Sequence, residues 1–128
     1  MSMEKDFSVS AELEDYARDA LESIAFDFLR KVVLASPRDK GTFQGNWVVG
    51  INSIDDNTYP RRTSGQNAIN RGGAIIKRLT YSPNMTINVS NNLPYARRLN
   101  NGYSQQAPKF FVEIAARNAS VNIKDGDL

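Results

Sequence analysis

Apolar residues recur at three- and four-residue steps from residue 10 to residue 35, a spacing that predicts one long amphipathic helix. Ser10 is suited to cap its N-terminus, and Ser36 followed by Pro37 predicts its end, because a residue before proline avoids the α region. A helix of this length spans about 40 Å at 1.5 Å per residue. The periodic positions are Leu13, Tyr16, Ala17, Ala20, Leu21, Ile24, Phe28, Val32 and Ala35.

The long helix carries more apolar surface than one stripe. The further apolar residues beside the periodic positions are Phe26, Leu29, Val33 and Leu34. A small sheet is too short to cover such a helix, and a helix that is apolar on more than one face usually has more than one partner. The sequence therefore predicts that part of this helix contacts another protein chain.

Two stretches alternate between apolar and polar residues, as half-buried strands do. The first contains Trp47, Val49 and Ile51 on one face, and the second covers residues 85–90. In the second stretch the alternating residues are apolar Met85, Ile87 and Val89 and polar Thr86, Asn88 and Ser90. We expect the two strands to pair, with their apolar faces together over the long helix.

Helical periodicity returns over residues 66–79, between the two predicted strands. Gly72 and Gly73 lie in the middle of this segment, and glycine costs a helix roughly 1 kcal/mol per residue relative to alanine. Either another element packs very closely at these glycines or the helix breaks there.

Residues 91–108 predict a short structured loop that presents side chains to a large partner, and residues 36–47 predict a second such loop. The first loop contains two prolines, two tyrosines and an arginine pair, but no acid. Pro94 and Gly102 predict one helical turn with a glycine stop. The alternative is a hairpin turn at Asn101-Gly102.

Residues 109–118 predict a short helix, and Pro108 just before them is well placed as a first helical residue. Residues 110–114 also fit a strand. The apolar residues expected on one side of this helix are Phe110, Phe111, Ile114 and Ala115. The element order predicts an α+β fold, with one long N-terminal helix packed on a small, mainly antiparallel sheet and two shorter helices. We expect a single domain over residues 1–128, with residues 1–9 and 120–128 flexible.

The chain of 128 residues contains no histidine and no cysteine. Thiol-based metal sites and the Ser-His and Cys-His nucleophile arrangements are therefore excluded, and we expect no enzyme activity, no metal site and no cofactor. The N-terminus lacks the apolar core of a signal peptide, and the longest apolar run is far shorter than a membrane span. We expect a protein kept in a cytosol-like compartment, with no membrane contact.

Charge is distributed unevenly along the chain, although the net charge is only +2. Residues 1–56 carry 6 bases and 11 acids, whereas residues 57–112 carry 8 bases and no acid. Two interpretations fit this asymmetry. The basic region faces nucleic acid, or it faces the acidic first half of a neighbouring copy, as in a head-to-tail ring.

Two motifs carry a resemblance to a known family. Residues 93–99, Leu-Pro-Tyr-Ala-Arg-Arg-Leu, are followed at residues 102–108 by Gly-Tyr-Ser-Gln-Gln-Ala-Pro. Residues 36–41, Ser-Pro-Arg-Asp-Lys-Gly, have Trp47 downstream. In this order they resemble the tail-completion and head–tail joining (neck) proteins of tailed double-stranded DNA bacteriophages, the family of lambda's tail-completion protein.

The resemblance covers roughly residues 13–112 and has three departures. The family often has an acid where Asn100 or Asn101 stands, threonine where Lys40 stands, and glycine where Phe110 stands.

The resemblance implies a structural virion protein of the head–tail connector, or neck, that completes or terminates the tail and joins it to the head. Such proteins are ring subunits around the DNA channel, and we expect a hexameric ring. The implied partners are other neck, portal-proximal and tail-tube proteins, together with DNA that passes through without sequence preference. The implied location is the virion, after assembly in the host bacterial cytoplasm. The alternative is a small nucleic-acid-binding module with a basic face.

The candidate site residues form two groups. The residues expected at the subunit or neck interface are Arg97, Arg98, Tyr103, Gln105, Gln106, Asp39 and Lys40. The residues expected on a basic face or in the DNA channel are Arg61, Arg62, Arg71, Lys77 and Arg78.

Reversing the charge of Arg97 and Arg98 to glutamate is expected to disrupt assembly more than folding, because these side chains are predicted to face a partner. Size-exclusion chromatography measures assembly, and thermal unfolding measures folding. Unfolding of the isolated variant chain would contradict the prediction, since the loop would then belong to the core.

Overall fold

The computed structural model describes residues 3–38, 41–59, 63–102, 107 and 109–119, with side chains from Glu14 onward. In this part of the chain, helices and a two-stranded antiparallel sheet form an α+β fold, as the sequence predicts. The elements in chain order are α1 (Met3–Ala35), α2 (Thr42–Gly45), β1 (Trp47–Ile51), α3 (Gly65–Lys77), β2 (Ile87–Asn91), α4 (Ala96–Asn100) and α5 (Phe111–Asn118).

Helix α1 contains 33 residues and spans about 50 Å. It begins at Met3, so the predicted start at Ser10 was wrong. No proline or glycine occurs between residues 3 and 35, and a serine within a helix costs little, so nothing in the sequence forces an end at Ser10. The predicted end is correct, because α1 stops at Ala35 and the Ser36 amide donates to the Val33 carbonyl.

The core residues that α1 contributes all lie in its second half. Ala25, Leu29 and Val32 are buried, whereas Tyr16 and Ile24 are 40% and 41% exposed. Among the described side chains of α1, none before Ala25 belongs to the core cluster. The first half of α1 therefore extends past the core, in agreement with the predicted excess of apolar surface.

Helix α3 continues through its two glycines because other elements pack closely against them. A Cβ atom at Gly72 would lie 2.6 Å from Leu29 Cδ2 of α1 and 2.8 Å from Val49 Cγ2 of β1. A Cβ atom at Gly73 would lie 2.7 Å from the Phe26 ring. Gly72 therefore marks the place where the long helix, α3 and the sheet converge, which resolves the alternative left by the sequence.

Strands β1 and β2 pair antiparallel as predicted, with Val49 opposite Val89. Val48 is also buried, although it points to the opposite face from Val49. The chain after β1 turns back across this second face, and a Cβ atom at Gly50 would lie 2.2 Å from the Ser53 carbonyl oxygen. Glycine at position 50 is required for this close approach.

The polar face of β2 holds the returning chain in place. Asn88, Ser90 and Asn92 are alternate residues that project on the same face. Their side chains donate to three alternate carbonyl oxygens, those of Ser53, Asp55 and Asn57. The alternation that predicted a strand therefore also supplies the polar side chains that fasten the loop.

Helix α4 is the predicted helical turn, and Gly102 follows it with φ 105°, so the alternative hairpin is not formed. Helix α5 is also helical rather than a strand, but it begins at Phe111 instead of residue 109. Phe111 is fully buried, whereas Phe110 and Ile114 are exposed, so the prediction that they share one side with Phe111 was wrong. Phe110 has φ 62°, and this left-handed residue ends the periodicity on which the prediction relied.

Replacement of Gly72 by alanine is expected to lower the free energy of unfolding by about 1–3 kcal/mol, because the added methyl overpacks the contact between Leu29 and Val49. At an open helical position the same change would raise stability by about 1 kcal/mol. Urea denaturation shows whether Gly72→Ala lowers or raises the free energy of unfolding. Lys77→Ala, on the exposed face of the same helix, is the control and should change stability little. A more stable Gly72→Ala variant would contradict the prediction.

Candidate interaction surface

The segment after α1 is tied to β1 through buried hydrogen bonds. Ser36 Oγ donates to the Val32 carbonyl over 2.5 Å and accepts from Trp47 Nε1 over 2.9 Å. The Ser36 carbonyl accepts from Gln44 Nε2 over 3.1 Å. Trp47 is only 4% exposed, so it is a core residue, as the sequence favoured. The Ser-Pro motif with its downstream tryptophan therefore fixes where the chain leaves α1.

The second motif packs against the first around Phe43 of α2. Asn91 Nδ2 donates to the Phe43 carbonyl over 2.9 Å, at the point where β2 ends. The rings of Tyr95 and Phe111 have their centres 6.0 Å and 6.1 Å from that of Phe43. Residues that are far apart in the sequence thus form one cluster, and this cluster positions α4 and the start of α5.

Arg97 and Arg98 lie in the last turn of α4, and both side chains are exposed. The Arg97 side chain makes no ion pair or hydrogen bond with the described residues. Tyr95, just before α4, is 43% exposed while one side of its ring contacts the core. Tyr95 therefore has one side in the core and one side open to a partner.

Arg71 has an intramolecular role. Its Nη2 atom donates to the carbonyl oxygens of Gly45 and Trp47 over 2.8 Å and 3.0 Å. Its guanidinium carbon lies 3.7 Å from the centre of the Tyr59 ring. Lys77 and Arg78, by contrast, are exposed at the end of α3. The structure thus separates Arg71 from Lys77 and Arg78, the two other members of the predicted basic face that lie within the described residues.

Seven of the predicted site residues lie outside the described residues and stay predictions. They are Asp39, Lys40, Arg61, Arg62, Tyr103, Gln105 and Gln106.

Phe110 is an interface candidate that the sequence reasoning placed in the core. Its backbone has φ 62° and ψ 38°, a left-handed conformation that costs a residue with a side chain about 1–2 kcal/mol. Its side chain is nevertheless 45% exposed. The family's glycine at this position was the available signal, because glycine adopts this conformation without strain.

Hydrogen bonds from Asn100 hold the left-handed turn in place. The Phe110 amide donates to the Asn100 carbonyl over 2.6 Å. Asn100 Oδ1 accepts from the Val112 amide over 2.9 Å, and Asn100 Nδ2 donates to Glu113 Oε1 over 2.9 Å. Asn100 therefore caps the N-terminus of α5 from a different helix.

A groove of about 450 Å³ lies between the middle of α1 and the end of α3. Phe26 and Ile76 form its apolar floor. Its residues are Asp19, Glu22, Ser23, Phe26, Ile76 and Lys77. Within the described residues, the Glu22 side chain makes no ion pair or hydrogen bond. The groove thus combines an apolar floor with an available carboxylate.

Comparison with known proteins identifies the family. A family model described as "Bacteriophage HK97-gp10, putative tail-component" matches residues 3–102, which include the first motif, residues 93–102 of the second motif and helices α1 to α4. The chain belongs to the HK97-gp10-like family. The match confirms the predicted family at the level of phage tail and neck components. No curated protein and no solved structure matches the chain.

Membership of the HK97-gp10-like family makes the chain a structural component of a bacteriophage tail. A tail component fits a location in the virion and interacts with other tail or neck proteins. In the described part of the chain, no helix is long and apolar enough to span a membrane. The same residues include no group of three or more histidine, cysteine or acidic side chains placed to hold a metal ion.

Replacement of Ser36 by alanine is expected to destabilise the protein by about 1–3 kcal/mol, because it leaves Trp47 Nε1 buried without an acceptor. Trp47→Phe removes the donor of the same bond. The loss in the double variant should be smaller than the sum of the two single losses, as for residues in direct contact. Denaturant unfolding of the wild-type chain, the two single variants and the double variant measures this coupling. Strictly additive losses would contradict the role assigned to the bond.

Proposed function

We propose that this chain is a ring subunit of the head–tail connector, which completes or terminates the tail and joins it to the head around the DNA channel. The observation that carries the proposal is a pair of oppositely charged surfaces that the described residues leave exposed. A subunit with two such surfaces contacts the next copy head to tail.

The acidic surface is formed by the part of α1 that precedes Ala25. Tyr16 and Ile24 are large apolar side chains that the rest of the described chain leaves exposed. The carboxylates in this part of the helix, among the described side chains, are Glu14, Asp15, Asp19 and Glu22. An apolar stripe flanked by acids favours a partner that is both apolar and basic.

The basic surface is formed by α4 and the start of α5. This region exposes both aromatic and basic side chains, and its first acid after residue 56 is Glu113 of α5. The residues of the basic surface are Tyr95, Arg97, Arg98, Lys109 and Phe110. This combination is what the acidic surface of a neighbouring copy would bind.

Within one copy, the start of the acidic surface lies away from the basic surface. Helix α5 starts beside Phe43, close to the end of α1, and runs back until the Asn118 carbonyl accepts from Lys31 Nζ. Asp15 lies sixteen residues before Lys31, which is about 24 Å along the helix. In the proposed assembly the contact is made between copies, and repeating it gives a closed ring when the rotation closes. Six copies would match the sixfold expectation from the family resemblance.

The alternative of a nucleic-acid-binding module receives less support. The guanidinium of Arg71 is occupied by carbonyl oxygens, and Lys77 borders a groove that also contains Asp19 and Glu22. Non-specific binding of DNA in the channel stays compatible with the ring.

A phage that lacks this chain is the test. Electron microscopy of its lysates is expected to show filled heads and separate tails, and supplying the chain in trans should restore joined particles. Normal joining without the chain would contradict the proposal. For the alternative, DNA binding should weaken steeply with salt, with a log–log slope of about −0.9 per neutralised phosphate. Strong salt-dependent binding by a protein not needed for joining would favour the alternative.

A further inference from the structure

Phe110 combines two unfavourable properties within one residue. Its backbone is left-handed, and its aromatic ring is 45% exposed to solvent. Neither property serves the core, since the neighbouring Phe111 fills the buried position. Strained residues held by surrounding hydrogen bonds are concentrated at functional sites, and exposed aromatic rings commonly anchor protein interfaces.

The residue beside Phe110 adds a charge to this anchor. Lys109 Nζ lies 4.9 Å from the centre of the Phe110 ring. Lys109 makes no ion pair with the described residues. The turn before α5 therefore presents an aromatic ring and an available ammonium group together.

The groove between α1 and α3 has the complementary chemistry. Its floor consists of Phe26 and Ile76, and its volume of about 450 Å³ has room for an aromatic side chain. At its rim, Asp19 Oδ1 lies 3.5 Å from Arg18 Nη2, whereas the Glu22 carboxylate has no ion-pair partner within the described residues. Lys77 also borders the groove, so the six groove residues carry a net charge of −1 at neutral pH.

We propose that Phe110 of one copy inserts into the α1–α3 groove of a neighbouring copy, where Lys109 pairs with Glu22. This inference rests on the proposed ring and names the contact that builds it. Burial of the ring on Phe26 and Ile76 supplies an apolar gain, and the lysine–glutamate pair orients the two copies.

The chain cannot fill its own groove with its own Phe110. Phe111 contacts Phe43 of α2, and Gln44 of α2 lies against Gly65 at the start of α3. The groove lies at the other end of α3, beside Ile76 and Lys77. The 13 residues of α3 separate the two places by about 20 Å. The occupant is therefore a second copy of this chain.

Cysteine cross-linking tests the contact directly, because the natural chain has no cysteine. Single variants Lys109→Cys and Glu22→Cys are mixed, assembled on tails and treated with a short bis-maleimide cross-linker, because the long side chains of a lysine–glutamate pair hold the two backbones too far apart for a direct disulfide. A covalent dimer is expected on a denaturing gel. Ile54→Cys, which lies on neither surface and is 64% exposed, is the control partner for Lys109→Cys. A yield no higher than this control, or a cross-link from position 109 to a different tail protein, would overturn the proposal.

Phe110→Gly provides a second test that does not endanger the fold. Glycine suits the left-handed backbone, so the thermal midpoint of the isolated chain should be unchanged or higher, while self-association should fall at least tenfold. Phe110→Tyr should keep most of the association, and Ile54→Ala should leave it unchanged. Self-association of Phe110→Gly as strong as that of the wild-type chain would overturn the proposed contact. The connector role would survive that result, because it is decided by phage that lacks the chain altogether.

Discussion

The fold depends on the absence of a side chain at Gly72, where three elements share one small space. Leu29 of the long helix and Val49 of β1 both approach the position that a Cβ atom would occupy. This convergence packs the sheet and α3 onto the second half of α1 only. The first half of α1 is consequently left with exposed apolar side chains, and its exposure follows from the place where the core closes.

Hydrogen bonds from polar side chains join distant segments of the chain. Asn46 is fully buried, and its amide joins Thr42 to Tyr59 through bonds of 2.7–3.0 Å. Asn91, Asn92 and Asn100 make comparable bonds to backbone groups of distant segments. Among the described side chains, no buried nitrogen or oxygen atom lacks a hydrogen-bond partner. Asparagine side chains thus hold the loops of this protein in place around its small sheet. The side chain of Asn100 holds the turn that presents Phe110.

Local periodicity in the sequence predicted the fold well. Strict alternation located both strands, although β2 begins at Ile87 rather than at Met85, and the Ser36-Pro37 step located the end of α1. Periodicity failed at Phe110, because a single left-handed residue rotates the following helix and moves an apolar side chain from the core to the surface. Charge counting did not predict the hydrogen bonds of Arg71, since acceptors for an arginine can be carbonyl oxygens that composition does not reveal. The groove beside Glu22 needs α1 and α3 in contact, so the sequence of either helix alone does not predict it.

In the proposed self-assembly of this tail component, an acidic helix of one copy contacts a basic turn of the next. A cryo-EM map of the assembled particle tests this contact most directly. We expect a closed ring of this chain between head and tail, with α4 and the start of α5 of each copy against α1 of its neighbour. A map in which the chain is a single copy, or in which the first half of α1 faces solvent throughout the ring, would contradict it.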